Sequence, residues 1–110
     1  MGSGAKGKAS RLHSELVRRK GECERCGKKS NLQCAHIVSR SYSATRVDLD
    51  NSYCLCAGCH MYFNKWPVEF GIFVFDTIGK DAYIALRQRA LDGVGKRMNW
   101  EKELERLSEL

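Results

Sequence analysis

Two pairs of cysteines share one spacing in this chain, Cys23-Glu24-Arg25-Cys26 and Cys56-Ala57-Gly58-Cys59. A C-x-x-C turn aims two thiolates at one point. Two such turns complete a tetrahedral zinc site with no open position, and a closed site is structural. The spacing leaves three alternatives: a redox C-x-x-C, Cys54 in the place of Cys56, and His60 in the place of a cysteine. Cys34 and Cys54 stand in apolar strand contexts and read as small buried hydrophobes. Two of the three histidines lie between or beside the pairs. His36 sits in Cys34-Ala35-His36-Ile37-Val38, and His60 directly follows Cys59. Asn51 stands just before Tyr53-Cys54-Leu55-Cys56. Asn64 follows His60 by one helical turn, so the two share a face. His13 is far from this group and reads as a surface residue.

The elements that must position these residues are short. Ser10 is a candidate cap for a helix over about 11–20, with Leu12, Leu16 and Val17 on one face and Gly21 as its stop. The first cysteine pair forms a tight turn. Leu32 to Val38 has strand character, 39–50 is a polar loop, and Tyr53 to Cys56 is a second strand. A helix follows from about Cys56–Cys59 to Lys65, before Pro67. Val68 to Ile78 fits a strand by alternation and a buried helix by length. Lys80 to Leu91 reads as an amphipathic helix using Tyr83, Ile84, Leu86 and Leu91. Trp100 to Leu110 reads as another, with Leu104 and Leu107 inward. The expected class is α+β: a small two-strand and helix core holding a structural zinc between two knuckles, flanked by N- and C-terminal helices.

A length of 110 residues suits one domain with a modest core. Residues 1–9 are small and basic and read as a disordered tail or tag remnant. Residues 10–110 read as a single domain, with its motif core at 23–65 and a helical extension at 66–110. There are 19 Lys and Arg against 13 Asp and Glu, a net charge of +6, which favours a polyanionic partner. The sequence offers no apolar run that would span a bilayer and no export signal, so six cysteines point to metal ligation rather than disulfides.

The order C-x-x-C, then His-Ile, then Asn before Leu-Cys-x-x-Cys-His, then a polar residue one turn on, resembles the HNH endonuclease family. The match spans Cys23 to Asn64. The resemblance implies a ββα-metal fold, with the zinc staple common to many phage-type members. It implies that His36 is the general base that activates water, that Asn51 ties down the loop and orients the base, and that His60 and Asn64 ligate a catalytic divalent metal (Mg²⁺, Mn²⁺ or Ni²⁺). Phosphodiester hydrolysis needs these types. Imidazole takes a proton near neutral pH, and one metal stabilises the charge that develops on phosphate and leaving oxygen. One position departs from the pattern: many members carry Asp or His before the base as a further metal ligand, and this chain has Ala35. Cys34, Asp48 or Asp50 are candidates to compensate.

The implied activity is metal-dependent cleavage of DNA, in the cytoplasm of a bacterial or phage-infected cell. The protein would act as a monomer or weak dimer, alone or within a larger phage or restriction-type assembly. Arg40, Arg46 and Lys65 are candidates for DNA-phosphate contacts, which give affinity without sequence reading. No base-reading element is evident, so low sequence specificity is expected. Trp66 and Phe70 read as core. The alternative is a non-catalytic, zinc-containing nucleic-acid-binding module with a degenerate site, which Ala35 favours.

Overall fold

A computed structural model of the chain describes residues 4–110. Their elements run α1 (Ala5–Arg18), β1 (Leu32–His36), two 3-10 turns (Ser43–Thr45 and Leu49–Asn51), β2 (Ser52–Cys56), α2 (Ala57–Lys65), α3 (Pro67–Thr77), α4 (Lys80–Asp92) and α5 (Trp100–Ser108). The two strands form an antiparallel hairpin that pairs Leu32 with Cys56, Cys34 with Cys54, Ala35 with Tyr53 and His36 with Ser52. The chain is therefore a small α+β protein with a four-cysteine cluster.

The first helix starts earlier than the sequence suggested. Residues 1–3 of the expected tail lie outside the described residues, and Ala5 to Ala9 are already helical, with Gly4 rather than Ser10 at the N-cap. The reason is packing. Ala9, His13 and Val17 recur every four residues and form one fully covered face. Small side chains at Gly7 and Ala9 let the helix sit close to its neighbours, and both are buried. Leu12 and Leu16 flank that face and meet Trp100, Leu104 and Leu107 of α5, so the two ends of the chain close one core together. Asn99 starts α5 by accepting the Lys102 amide on its side-chain oxygen at 3.0 Å.

The second core lies beneath the hairpin. Ala35, Tyr53 and Leu55 pack there with Phe63 of α2 and Val74 of α3, while Phe70 and Phe73 complete the cluster. This settles the ambiguous segment: Pro67 at the first helical position and an inward stripe of buried Val74 with partly buried Phe70 and Phe73 make it a helix. Two expectations for this half are corrected. In α4 the covered residues are Leu86 and Ala90, whereas Ile84 and Leu91 face outward. Trp66 is half exposed, because it occupies the bend between α2 and α3 rather than the body of either.

The loop between the strands is held from outside by α4, whose end comes so close to Ala44 that a β-carbon on Gly93 would collide with the Ala44 methyl. Gly93→Ala is expected to destabilise the fold by about 1–3 kcal/mol through this overpacking. A thermal melt checks it, with Gly71→Ala, which has open space around it, as the control that should hold or raise the melting temperature.

Candidate metal centre and basic cleft

The knuckle chemistry follows from local geometry. The Cys23 carbonyl accepts the Gly27 amide at 2.8 Å, and the Cys23 amide donates to the Lys28 carbonyl at 2.8 Å. This closure puts Gly27 at φ 80°, a left-handed conformation suited to glycine. The second knuckle opens α2: Cys56 is its N-cap, and its Sγ accepts the Cys59 amide at 3.5 Å. The four Sγ atoms of Cys23, Cys26, Cys56 and Cys59 lie within 4.8 Å of one another, and Cys26 and Cys56 are 3.7 Å apart. A tetrahedron with Zn–S bonds of about 2.3 Å has an edge of about 3.8 Å. No disulfide forms, and the cluster is consistent with a structural Zn²⁺. Cys54 is fully buried and belongs to the hairpin interior, not to the cluster.

The charges around the thiols fit a dication. Burial disfavours a Cys23 thiolate, but the backbone amides of Cys56, Cys26 and Arg25 outweigh it and bring the thiol down to about 6. Burial, followed by its cysteine neighbours, pushes Cys59 up to about 12, even though Arg25 donates to it at 3.4 Å. Four thiolates cannot coexist there without a cation, and a bound metal ion reverses that logic. Arg25 also stacks over Tyr62, with its guanidinium carbon 4.3 Å from the ring centroid, which tethers this cation beside the cluster.

On the other side of β1 lies a cleft of about 570 Å³. It brings together His36, His60 and Asn64 with Arg40 and Arg46, and none of its lining residues is acidic. His36 points Nε2 at the Arg46 carbonyl, 2.8 Å away. His60 points Nδ1 at the Gln33 side-chain oxygen, 2.7 Å away, which leaves Nε2 free. Asn51 is completely buried and fully engaged. Its oxygen accepts the Val38 amide at 2.7 Å, and its nitrogen donates to the carbonyls of Val38 and Thr45 at 2.9 and 3.0 Å. One side chain thus clamps both ends of the loop that supplies Arg40 and Arg46.

Four positions weighed in the sequence, Lys65, Ala35, Asp48 and Asp50, fall outside the cleft. Lys65 is exposed at the end of α2 beside Trp66 and does not line the cleft. Ala35 points into the core opposite Tyr53, so a metal ligand at that position would face aromatic side chains rather than the cleft. Asp48 caps Asp50 with one carboxylate oxygen and pairs with Arg89 at 2.6 Å through the other, and neither Asp48 nor Asp50 lines the cleft. Cys34 does line it.

Arg46 is nearly buried yet has no carboxylate partner among the described residues. Its guanidinium donates to the Ser10 hydroxyl at 3.0 Å and the Arg40 carbonyl at 3.3 Å. A desolvated cation without a counter-ion is costly, and an anion in the cleft would relieve it.

His13 corrects the sequence reading most sharply. It is 1% exposed, because it lies on the buried 9-13-17 face of α1. Its Nε2 is 2.9 Å from the Ser52 hydroxyl and 3.2 Å from the Asp48 carbonyl, and its Nδ1 is 3.9 Å from Cys34 Sγ. Burial depresses all three histidines. His13 falls to about 4. For His36, the Arg46 carbonyl opposes burial, while the charges of Arg40 and Arg46 reinforce it. For His60, burial acts alone. All three are therefore neutral lone-pair donors at physiological pH.

The chain matches no protein-family model, no curated protein and no solved structure. The residues of the site therefore carry the functional reading alone. Gln33 and Arg11 were not singled out as site residues and Ser10 only as a helix cap; His13 left a signal in its spacing from Ala9 and Val17. No helix of the described residues is long and apolar enough to cross a membrane.

Asn51→Ala is expected to lower stability by roughly 2–4 kcal/mol, because it strips partners from the Val38 amide and from two carbonyls. Denaturant unfolding measures this, and Asn51→Asp, which keeps the accepting oxygen but turns a buried carboxylate oxygen towards two carbonyls, should not restore stability.

Proposed function

We propose that the chain is a metal-dependent nuclease that hydrolyses DNA phosphodiester bonds with an HNH-like site. The observation that carries this reading is the acid-free cleft, where two imidazoles and an amide stand beside Arg40 and the carboxylate-free Arg46. A phosphodiester supplies the anion these arginines lack, and they would hold it by charge-assisted hydrogen bonds. Arg46 also fixes His36 from its own backbone, so the phosphate-binding and proton-accepting groups are set by one residue.

With Nε2 donated to a carbonyl, His36 carries its lone pair on Nδ1, and that nitrogen would take the proton from the attacking water. Asn51 positions the loop behind it. His60, through Nε2, and Asn64 are the residues that would hold a divalent metal. The Gln33 bond to the other His60 nitrogen is the outer-shell contact that ligating imidazoles commonly make. The metal would supply Lewis acidity for the charge on the phosphate.

The test is incubation of supercoiled plasmid with Mg²⁺, Mn²⁺ or Ni²⁺, using the wild type and His60→Ala. Metal-dependent nicking by the wild type, lost in the variant, is expected. Equal cleavage by both, or none with any of the metals, would overturn the reading.

One observation favours the non-catalytic alternative. Position 35 faces the core, so the protein offers the metal only His60 and Asn64. In that case DNA binding without cleavage is expected, and Arg46→Ala should reduce the dependence of log affinity on log salt by about one contact.

A further inference from the structure

The nuclease reading leaves His13 and Cys34 unused at the back of the cleft, beside its base His36. Cys34 and His36 are two residues apart in β1 and project from the same face. Against that face α1 lays His13, whose ring centroid is 5.4 Å from that of His36. One donor atom from each of His13, Cys34 and His36 lies within 4.8 Å of the other two.

The hydrogen bonds sort the ring nitrogens. A carbonyl can only accept, so the His36 bond to Arg46 O and the His13 bond to Asp48 O place the proton on Nε2 of both rings. The Ser52 hydroxyl accepts from the same His13 nitrogen and passes its own proton to Asp48 O, so this network is closed. Nδ1 keeps the lone pair in both rings. Metal-ligating histidines are held in this way, by an outer carbonyl that fixes the tautomer.

We propose that His13 Nδ1, Cys34 Sγ and His36 Nδ1 bind a second borderline-soft dication, Zn²⁺ or its surrogate Co²⁺, separate from the four-cysteine staple. Two imidazoles and a thiolate select Zn²⁺ or Co²⁺ over Mg²⁺. In a tetrahedral zinc site N and S are roughly 3.6 Å apart, so the observed 3.9 Å between His13 and Cys34 closes by a few tenths of an ångström. The fourth position opens to the cleft, where water or an anion completes the shell. As the S–Zn bond forms, Cys34 releases its thiol proton to solvent. Arg40 and Arg46 repel the ion, so this site fills after the staple and empties before it. One consequence rests on the nuclease reading: the ion occupies the lone pair that His36 needs as a base, so zinc silences cleavage.

The experiment is a Co²⁺ titration of the folded chain, with bound metal counted by elemental analysis after dialysis. The wild type should hold one ion more than Cys34→Ser or His13→Gln, and that extra ion should give a weaker single-thiolate charge-transfer band. An equal ion count in the wild type and both variants would overturn the site. Cys34→Ser changes one atom, and far-UV circular dichroism confirms its fold. The wild-type band needs no variant at all.

In Mg²⁺, added Zn²⁺ should cut wild-type cleavage by about 10²-fold and leave Cys34→Ser unaffected. Equal inhibition of both would overturn the silencing. If no metal supports cleavage, the nuclease reading fails, while the ion count still decides the site.

Discussion

Replacing Cys23 by alanine or Cys59 by serine is expected to unfold the protein. The four thiols sit on two knuckles that join the segment before β1 to the start of α2, and Cys23, Cys56 and Cys59 are part of the core beneath the hairpin. Apparent zinc-binding free energies of about 10–16 kcal/mol in small zinc domains match or exceed the whole stability of a domain, about 5–15 kcal/mol. Loss of one ligand also leaves buried thiols around a defective ion, and the Arg25 guanidinium loses its anionic partner when Cys59 is the residue changed. The far-UV spectrum should lose its cooperative melt, and excess chelator should do the same to the wild type. Cys54→Ala is the control. Cys54 is equally buried but outside the cluster, so its loss should stay within the range of a single core change, about 1–3 kcal/mol. A Cys23→Ala protein that melts at the wild-type temperature would remove Cys23 from the ligand set.

The second large effect is on catalysis. His36→Ala should lower plasmid cleavage by about 10²–10⁴-fold, the usual contribution of a positioned general base, with the fold retained. Retention is expected because His36 is only partly buried at the end of β1, and its one ring hydrogen bond is to the Arg46 carbonyl. The pH profile adds a direction. Burial, joined by the positive charges of Arg40 and Arg46, holds His36 below its ordinary value of 6.5 against the pull of the Arg46 carbonyl. The neutral form is the active one, so in zinc-free Mg²⁺ buffer the rate should hold as pH falls through 6.5 and drop only below it. An acid limb centred above 6.5, or a His36→Ala protein that cleaves at the wild-type rate, would assign the base to another group.

The amino-acid sequence determined the parts whose chemistry is local. Two C-x-x-C turns set the four thiols, because each knuckle closes within a few residues, the first through its backbone and the second through the Cys59 amide on Cys56 Sγ. The strand around His36 and the strand after Asn51 were readable from their short apolar runs, and α2 from its knuckle start and the following Pro67. These features hold whatever the rest of the chain does.

Tertiary structure decided which of those residues meet. His13 reads as a surface histidine until α1 packs across β1 and carries it to Ser52, thirty-nine residues away. The cleft assignment of Arg46 rests on the fold of its loop, which the buried Asn51 clamps, and the exclusion of Lys65 rests on the bend at Trp66. Ala35 and Cys34 are neighbours in sequence, yet the strand's two-residue period sends one into an aromatic core and the other into the cleft with the histidines. Local spacing writes the staple because a turn is closed within its own few residues. The second group depends on contacts between distant segments, whose direction no short pattern encodes.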